Sequence, residues 1–123
     1  MPETILVVDD AAFMRMMIRD ILLKEGYAIV EAFDGRDAVA KFEETKPDLV
    51  TLDITMPVMN GLEALRAIRA MDPRARVLMV SAMGQQKMIM EALEEGALDF
   101  LVKPFQPAKV LETVKKCLRS SGR

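Results

Sequence analysis

Five short apolar runs recur along the chain, each followed by a longer stretch whose apolar residues return at helical spacing. The runs are Ile5–Val8, Ala28–Glu31, Leu49–Leu52, Val77–Val80 and Phe100–Val102, starting roughly 21 to 28 residues apart. Most are apolar at consecutive rather than alternate positions, the pattern of strands covered on both faces. Met14, Met17, Ile18, Ile21 and Leu22 mark the core face of the first helix, with Gly26 beyond its end. Ala38, Val39 and Phe42 mark the second helix, closed by Pro47, and Leu62, Leu65 and Ile68 the third, ended at Asp72-Pro73. The fourth is expected from about Gln85 to Glu95, before Gly96. The fifth opens at Pro107 and carries Val110, Leu111, Val114 and Leu118, with the residues after Cys117 expected to fray. Strict alternation of this kind predicts a parallel sheet with helices on both faces and right-handed crossovers.

In such a sheet, ligands gather outside the carboxyl ends of the strands, near the point where strand order reverses. The expected strand ends carry Asp9-Asp10, Asp53, Ser81 and Lys103-Pro104, while the second strand offers only Glu31-Ala32-Phe33. That distribution suits the order 2-1-3-4-5, in which the aspartates of strands one and three converge. Two like charges about 5 Å apart repel by roughly 3 kcal/mol at an effective dielectric near 20. Three carboxylates and one lysine leave two negative charges, which a divalent cation would neutralise. The ligands are hard oxygens, so Mg²⁺ fits best, with Mn²⁺ and Ca²⁺ as the alternatives. A metal, a carboxylate, a lysine and a hydroxyl together suit phosphoryl transfer through an aspartyl phosphate.

Composition narrows the alternatives. The chain has no histidine and one cysteine among 123 residues. Histidine-based nucleophile pairs and zinc sites are therefore excluded, as is an internal disulfide. A net charge of −2 gives no electrostatic reason to bind nucleic acid or an anionic membrane. No apolar run is long enough to span a membrane, and the first residues lack the pattern of a signal peptide. An aspartyl phosphatase of the haloacid-dehalogenase kind needs a second aspartate two residues after the nucleophile, where this chain has Thr55.

The motifs Val7-Val8-Asp9-Asp10, Asp53-Ile54-Thr55-Met56-Pro57-Val58-Met59-Asn60-Gly61, Val80-Ser81-Ala82 and Val102-Lys103-Pro104-Phe105 resemble those of the receiver domains of two-component response regulators. The resemblance covers essentially the whole chain. Through Asp10–Arg15 and Ser81–Gln86 it is most similar to single-domain chemotaxis response regulators. It implies a flavodoxin-like doubly wound (βα)5 fold in one receiver domain over residues 1–123 with no effector domain. The 2-1-3-4-5 order is this family's own, so the two routes to it are not independent.

The resemblance also implies a phosphorylation-activated switch rather than an enzyme with a separate substrate. Asp53 would accept a phosphoryl group from a histidine kinase. Asp10, Asp53 and the Thr55 backbone carbonyl would bind Mg²⁺ directly, with Asp9 acting through water. Ser81 and Lys103 would meet the phosphoryl oxygens, Pro104 would follow a cis bond, and Phe100 would be the switch aromatic. Met83, two residues past Ser81, would shield the phosphoryl group. The expected partners are a chemotaxis-type histidine kinase and a flagellar motor switch protein or other target, docked on helix 4, strand 5 and helix 5. A single-domain receiver in another pathway, such as a phosphorelay intermediate, is the alternative. A cytoplasmic monomer is expected.

Two surfaces stand out. Met88, Ile89 and Met90 are consecutive on the fourth helix, so one core face cannot bury all three. Phe13, Met16, Asp20 and Leu23 form a second stripe on the first helix, a candidate dock for a kinase or phosphatase. Cys117 is expected to be an unremarkable half-buried residue.

Overall fold

A computed structural model describes residues 2–120. The chain alternates β1 (Thr4–Val8), α1 (Ala12–Leu23), β2 (Ala28–Ala32), α2 (Gly35–Thr45), β3 (Leu49–Asp53), α3 (Gly61–Met71), β4 (Val77–Ser81), α4 (Gln86–Glu94), β5 (Asp99–Val102) and α5 (Pro107–Arg119). The strands form one parallel sheet in the order β2-β1-β3-β4-β5, the doubly wound arrangement expected from the sequence.

Period-two alternation sorts the central strands onto two cores. Leu6, Val8, Val50, Leu52, Val77 and Met79 face one side, against Phe42, Leu65, Ile68 and Ile89 from α2, α3 and α4. Ile5, Val7, Leu49, Leu78 and Val80 face the other, against Ile18 and Leu22 of α1 and Val110, Val114 and Cys117 of α5. Coverage on both faces explains why these strands read as unbroken apolar runs. The edge strands β2 and β5 are less buried.

The ends of the elements have local causes. Asn60 and Glu63 form a reciprocal capping box at the start of α3, and the Asp34 side chain accepts from Asp37 N–H at the start of α2. Helix α2 stops short of Pro47, with Lys46 in the left-handed region at φ 46. Helix α4 is slightly shorter than expected, with Gln85 and Glu95 as its boundary residues.

Three expectations about packing need correction. Met17 is exposed, because the buried stripe of α1 runs through Ile18 and Leu22, four residues apart, and Met17 lies about 100° round the helix from Ile18. Cys117 is buried rather than half-buried, and burial pushes its thiol up to about 11. The end predicted to fray is helical through Arg119, and Arg76 Nε donates to the Ser120 carbonyl at 2.7 Å. Residues 121–123 lie outside the described residues. Among the described residues, no helix is long and apolar enough to cross a membrane.

Candidate functional site

Strand register assembles the site. Val8 pairs with Leu52, so Asp9, the residue after β1, lies beside Asp53 at the end of β3. Asp53 pairs with Val80, which places Ser81 one step further along β4. Ser81 pairs with Val102, and Lys103 follows. Residues distant in sequence thus share one edge of the sheet.

Asp9, Asp10 and Asp53 each offer a carboxylate oxygen within 4.8 Å of the others. Lys103 Nζ reaches Asp9 Oδ2 at 3.1 Å and Asp53 Oδ1 at 3.5 Å. Asp9 is fully buried, and its Oδ1 also accepts from Ala11 N–H at 2.9 Å. Burial first, and then the neighbouring Asp9 charge, push Asp53 up from 3.8 to about 6 against the pull of Lys103, with Asp10 adding to the rise. Burial opposes the Lys103 charge, but Asp53 and Asp9 outweigh it and raise that pKa.

The donor set fits a hard divalent cation. It is all oxygen, it holds two negative charges beyond what Lys103 balances, and burial, then repulsion by Asp9, already disfavour the charged form of Asp53. Ser81 Oγ is buried with no hydrogen-bond partner, an arrangement that normally costs roughly 1–3 kcal/mol. It is a donor held ready for an acceptor outside the protein's own network.

The other expected residues fall around this centre. The Lys103–Pro104 peptide bond is cis. Thr55 is exposed, and its hydroxyl accepts from Gln85 Nε2 at 2.6 Å. Phe100 does not join the carboxylates. It is 37% exposed on β5 and lines a groove of about 400 Å³ with Met83, Gln86, Ile89 and Met90. Of the three consecutive residues on α4, Ile89 is buried, Met88 half-buried and Met90 exposed. Phe13, Met16 and Leu23 are all exposed on α1.

Two residues that matter to the site lie in stretches noted in the sequence but have no role assigned there. Arg15 Nη1 donates to the Asp9 carbonyl at 2.8 Å while its Nε donates to Glu31 Oε1 at 3.0 Å, which fixes the loop after β1 against β2. The only signal for it was an arginine one turn into α1. Gln85 bridges Ala82 and Thr55; it stands in the Ser81–Gln86 stretch, but the sequence assigns it no contact. The loop after β3 is also tightly built. Gly61 N–H donates to the Ile54 carbonyl at 2.7 Å, and a Cβ on Gly61 would lie 2.7 Å from Ile54 Cα. Met59 N–H donates to the Pro57 carbonyl across Val58, whose φ is 68.

Residues 5–115 match the response regulator receiver domain family. The chain belongs to that family. It is 56% identical to the chemotaxis protein CheY of Thermotoga maritima, over 94% of this chain and 98% of that protein. It is 57% identical to the chemotaxis protein CheY of Bacillus subtilis, over 96% and 99% respectively. Among solved structures, the receiver domain of NtrX from Brucella abortus superposes with a TM-score of 0.92 at 34% identity, covering 95% of this chain and 99% of that one. This receiver is therefore a two-component signalling domain with chemotaxis proteins among its close relatives.

Proposed function

We propose that this receiver is a phosphorylation-controlled binding switch in chemotaxis. The observation that carries the reading is the Asp9–Asp10–Asp53–Lys103 cluster beside a partnerless Ser81 hydroxyl. An Asp53 carboxylate oxygen attacks the phosphorus of a phosphohistidine on a kinase. An O–P bond forms and the P–N bond breaks, its electron pair staying on the imidazole nitrogen, which takes a proton. Hydrolysis later adds water at phosphorus and returns the carboxylate and inorganic phosphate.

Lys103 Nζ faces Asp53 and balances charge on the phosphoryl oxygens, and the Ser81 hydroxyl donates to one of them. Asp10, Asp53 and the Thr55 carbonyl would hold Mg²⁺. Asp9, with its oxygens engaged by Lys103 and Ala11, would act through water. Bound there, the ion would neutralise charge shared between the carboxylates and the phosphoryl group.

Phosphorylation changes Asp53 from one negative charge to about two and adds acceptor oxygens. Ser81 turns toward them and Phe100 leaves its half-exposed position, so the face made by α4, β5 and α5 shifts population. The groove beside Met90 and Phe100 belongs to that face. A flagellar motor switch protein is the target this reading assigns to it. The exposed Phe13 and Met16 on α1 would meet the kinase or a phosphatase. The protein would work in the cytoplasm as a monomer.

The test is transfer of radiolabelled phosphate from an autophosphorylated chemotaxis histidine kinase, followed by binding of the product to a flagellar motor switch protein. Label on wild type but not on Asp53→Asn, with tighter binding after transfer, is the expected result. Transfer without any gain in motor-protein binding would leave a receiver of another pathway. Label retained on Asp53→Asn would remove Asp53 as the acceptor.

A further inference from the structure

The loops after β3 and β4 flank the mouth of the acidic cluster, and one side chain links them. Gln85 Oε1 accepts from Ala82 N–H at 2.7 Å, and Gln85 Nε2 donates to Thr55 Oγ1 at 2.6 Å. Both ends of the amide are therefore used. One end holds the backbone donor next to Ser81, and the other holds the residue two past Asp53. Gln85 also occupies the N-cap position of α4, yet it makes no capping hydrogen bond there. Its side chain is spent on the loops instead of on its own helix. The adjoining Ser81 hydroxyl is buried and unpartnered. The mouth of the site thus has one donor waiting and one donor occupied.

We propose that Gln85 is a latch over the phosphoryl site. With Asp53 unmodified, it covers the Ala82 N–H and ties the loop after β4 to Thr55. A phosphoryl oxygen on Asp53 takes over that N–H, and the amide leaves. The inference rests on Asp53 being the phosphoryl acceptor. Charge decides the exchange, because hydrogen bonds to an ionised oxygen are roughly twice as strong as those to a neutral amide. The hinge is present: Gly84, the preceding residue, has φ +89 and open space where a Cβ would stand. Gln85 also lines the groove that holds Met90 and Phe100, so its departure changes the wall of the output face. The latch joins the acceptor end of the molecule to its binding end through one side chain.

The test uses beryllofluoride, a tetrahedral phosphoryl mimic that binds carboxylates, titrated in the presence of Mg²⁺ into wild type and Gln85→Met. Amide NMR spectra read both binding and folding. Gln85→Met should bind the mimic about fivefold tighter, because the latch no longer has to be broken. In wild type, the Gln85 side-chain amide signals and the Ala82 N–H signal should both shift on saturation. Equal affinity in the two proteins, weaker affinity in Gln85→Met, or unmoved Gln85 amide signals would overturn the latch while leaving the acceptor reading intact. Failure of wild type to bind the mimic with Mg²⁺ present would overturn both.

Discussion

Replacing Asp53 by asparagine should stabilise the metal-free protein, and the gain should grow with pH. Asp53 is 5% exposed; burial, and next Asp9, lift its pKa from 3.8 to about 6 even with Lys103 alongside. The folded protein therefore holds this proton more tightly than the unfolded chain does. Between about pH 4 and pH 6 the folded state binds more protons, and stability falls as pH rises through that window. Above it the whole penalty is present. A rise from 3.8 to about 6 corresponds to roughly 3 kcal/mol, at 1.36 kcal/mol per tenfold change. Asparagine is nearly isosteric and never ionises, so it escapes the penalty. Lys103 loses its 3.5 Å contact but keeps Asp9 at 3.1 Å. Urea unfolding in EDTA should give an advantage for Asp53→Asn of about 1 kcal/mol at pH 4.5 and about 3 kcal/mol at pH 7.5. An advantage that does not change with pH, or a more stable wild type at pH 7.5, would refute the reasoning.

Gly61→Ala should cost on the order of 3 kcal/mol in chemical denaturation, since its Cβ would meet the Ile54 backbone at 2.7 Å; unchanged stability would mean the loop yields easily. Val58→Gly should stabilise by roughly 1 kcal/mol, because a β-branched residue at φ 68 is strained by about 1–3 kcal/mol and glycine returns under 1 in chain entropy; a lower melting temperature would contradict this. Phe42→Ala should cost about 3–5 kcal/mol and Phe100→Ala clearly less, as Phe42 is 6% exposed and Phe100 37%; equal costs in urea melts would count against the packing described. Cys117, buried with its thiol raised to about 11, should resist a thiol reagent at pH 8 until the protein unfolds; labelling at the rate of a free thiol would contradict its burial.

The architecture was legible because it is local and periodic. Continuous apolar runs such as Val77–Val80, short and alternating with helical stretches, suit strands covered on both faces, and the residues just past such runs then meet at one edge. By that logic Asp9, Asp10, Asp53 and Lys103 meet at one edge, and the register of β1, β3, β4 and β5 places them there. What escaped depends on side-chain direction and distant contacts. Met17 satisfies the helical period, yet it falls at the flank of the stripe that Ile18 and Leu22 bury and is exposed. The chain's end looked loose because nothing nearby holds it; its Ser120 carbonyl is held by Arg76. Gln85 read as an ordinary polar residue at a helix start, because only its rotamer sends it to Ala82 and Thr55. Asn60 and Glu63 stand three apart, as a capping box requires, and could have been found from the sequence alone.

The central claim is that Asp53 forms an acyl phosphate. Intact mass after incubation with acetyl phosphate tests it most directly, with and without Mg²⁺, on wild type and Asp53→Asn. One phosphoryl adduct on wild type, dependent on Mg²⁺ and absent from Asp53→Asn, is the predicted result. An adduct that persists in Asp53→Asn, or that forms equally well in EDTA, would contradict the account.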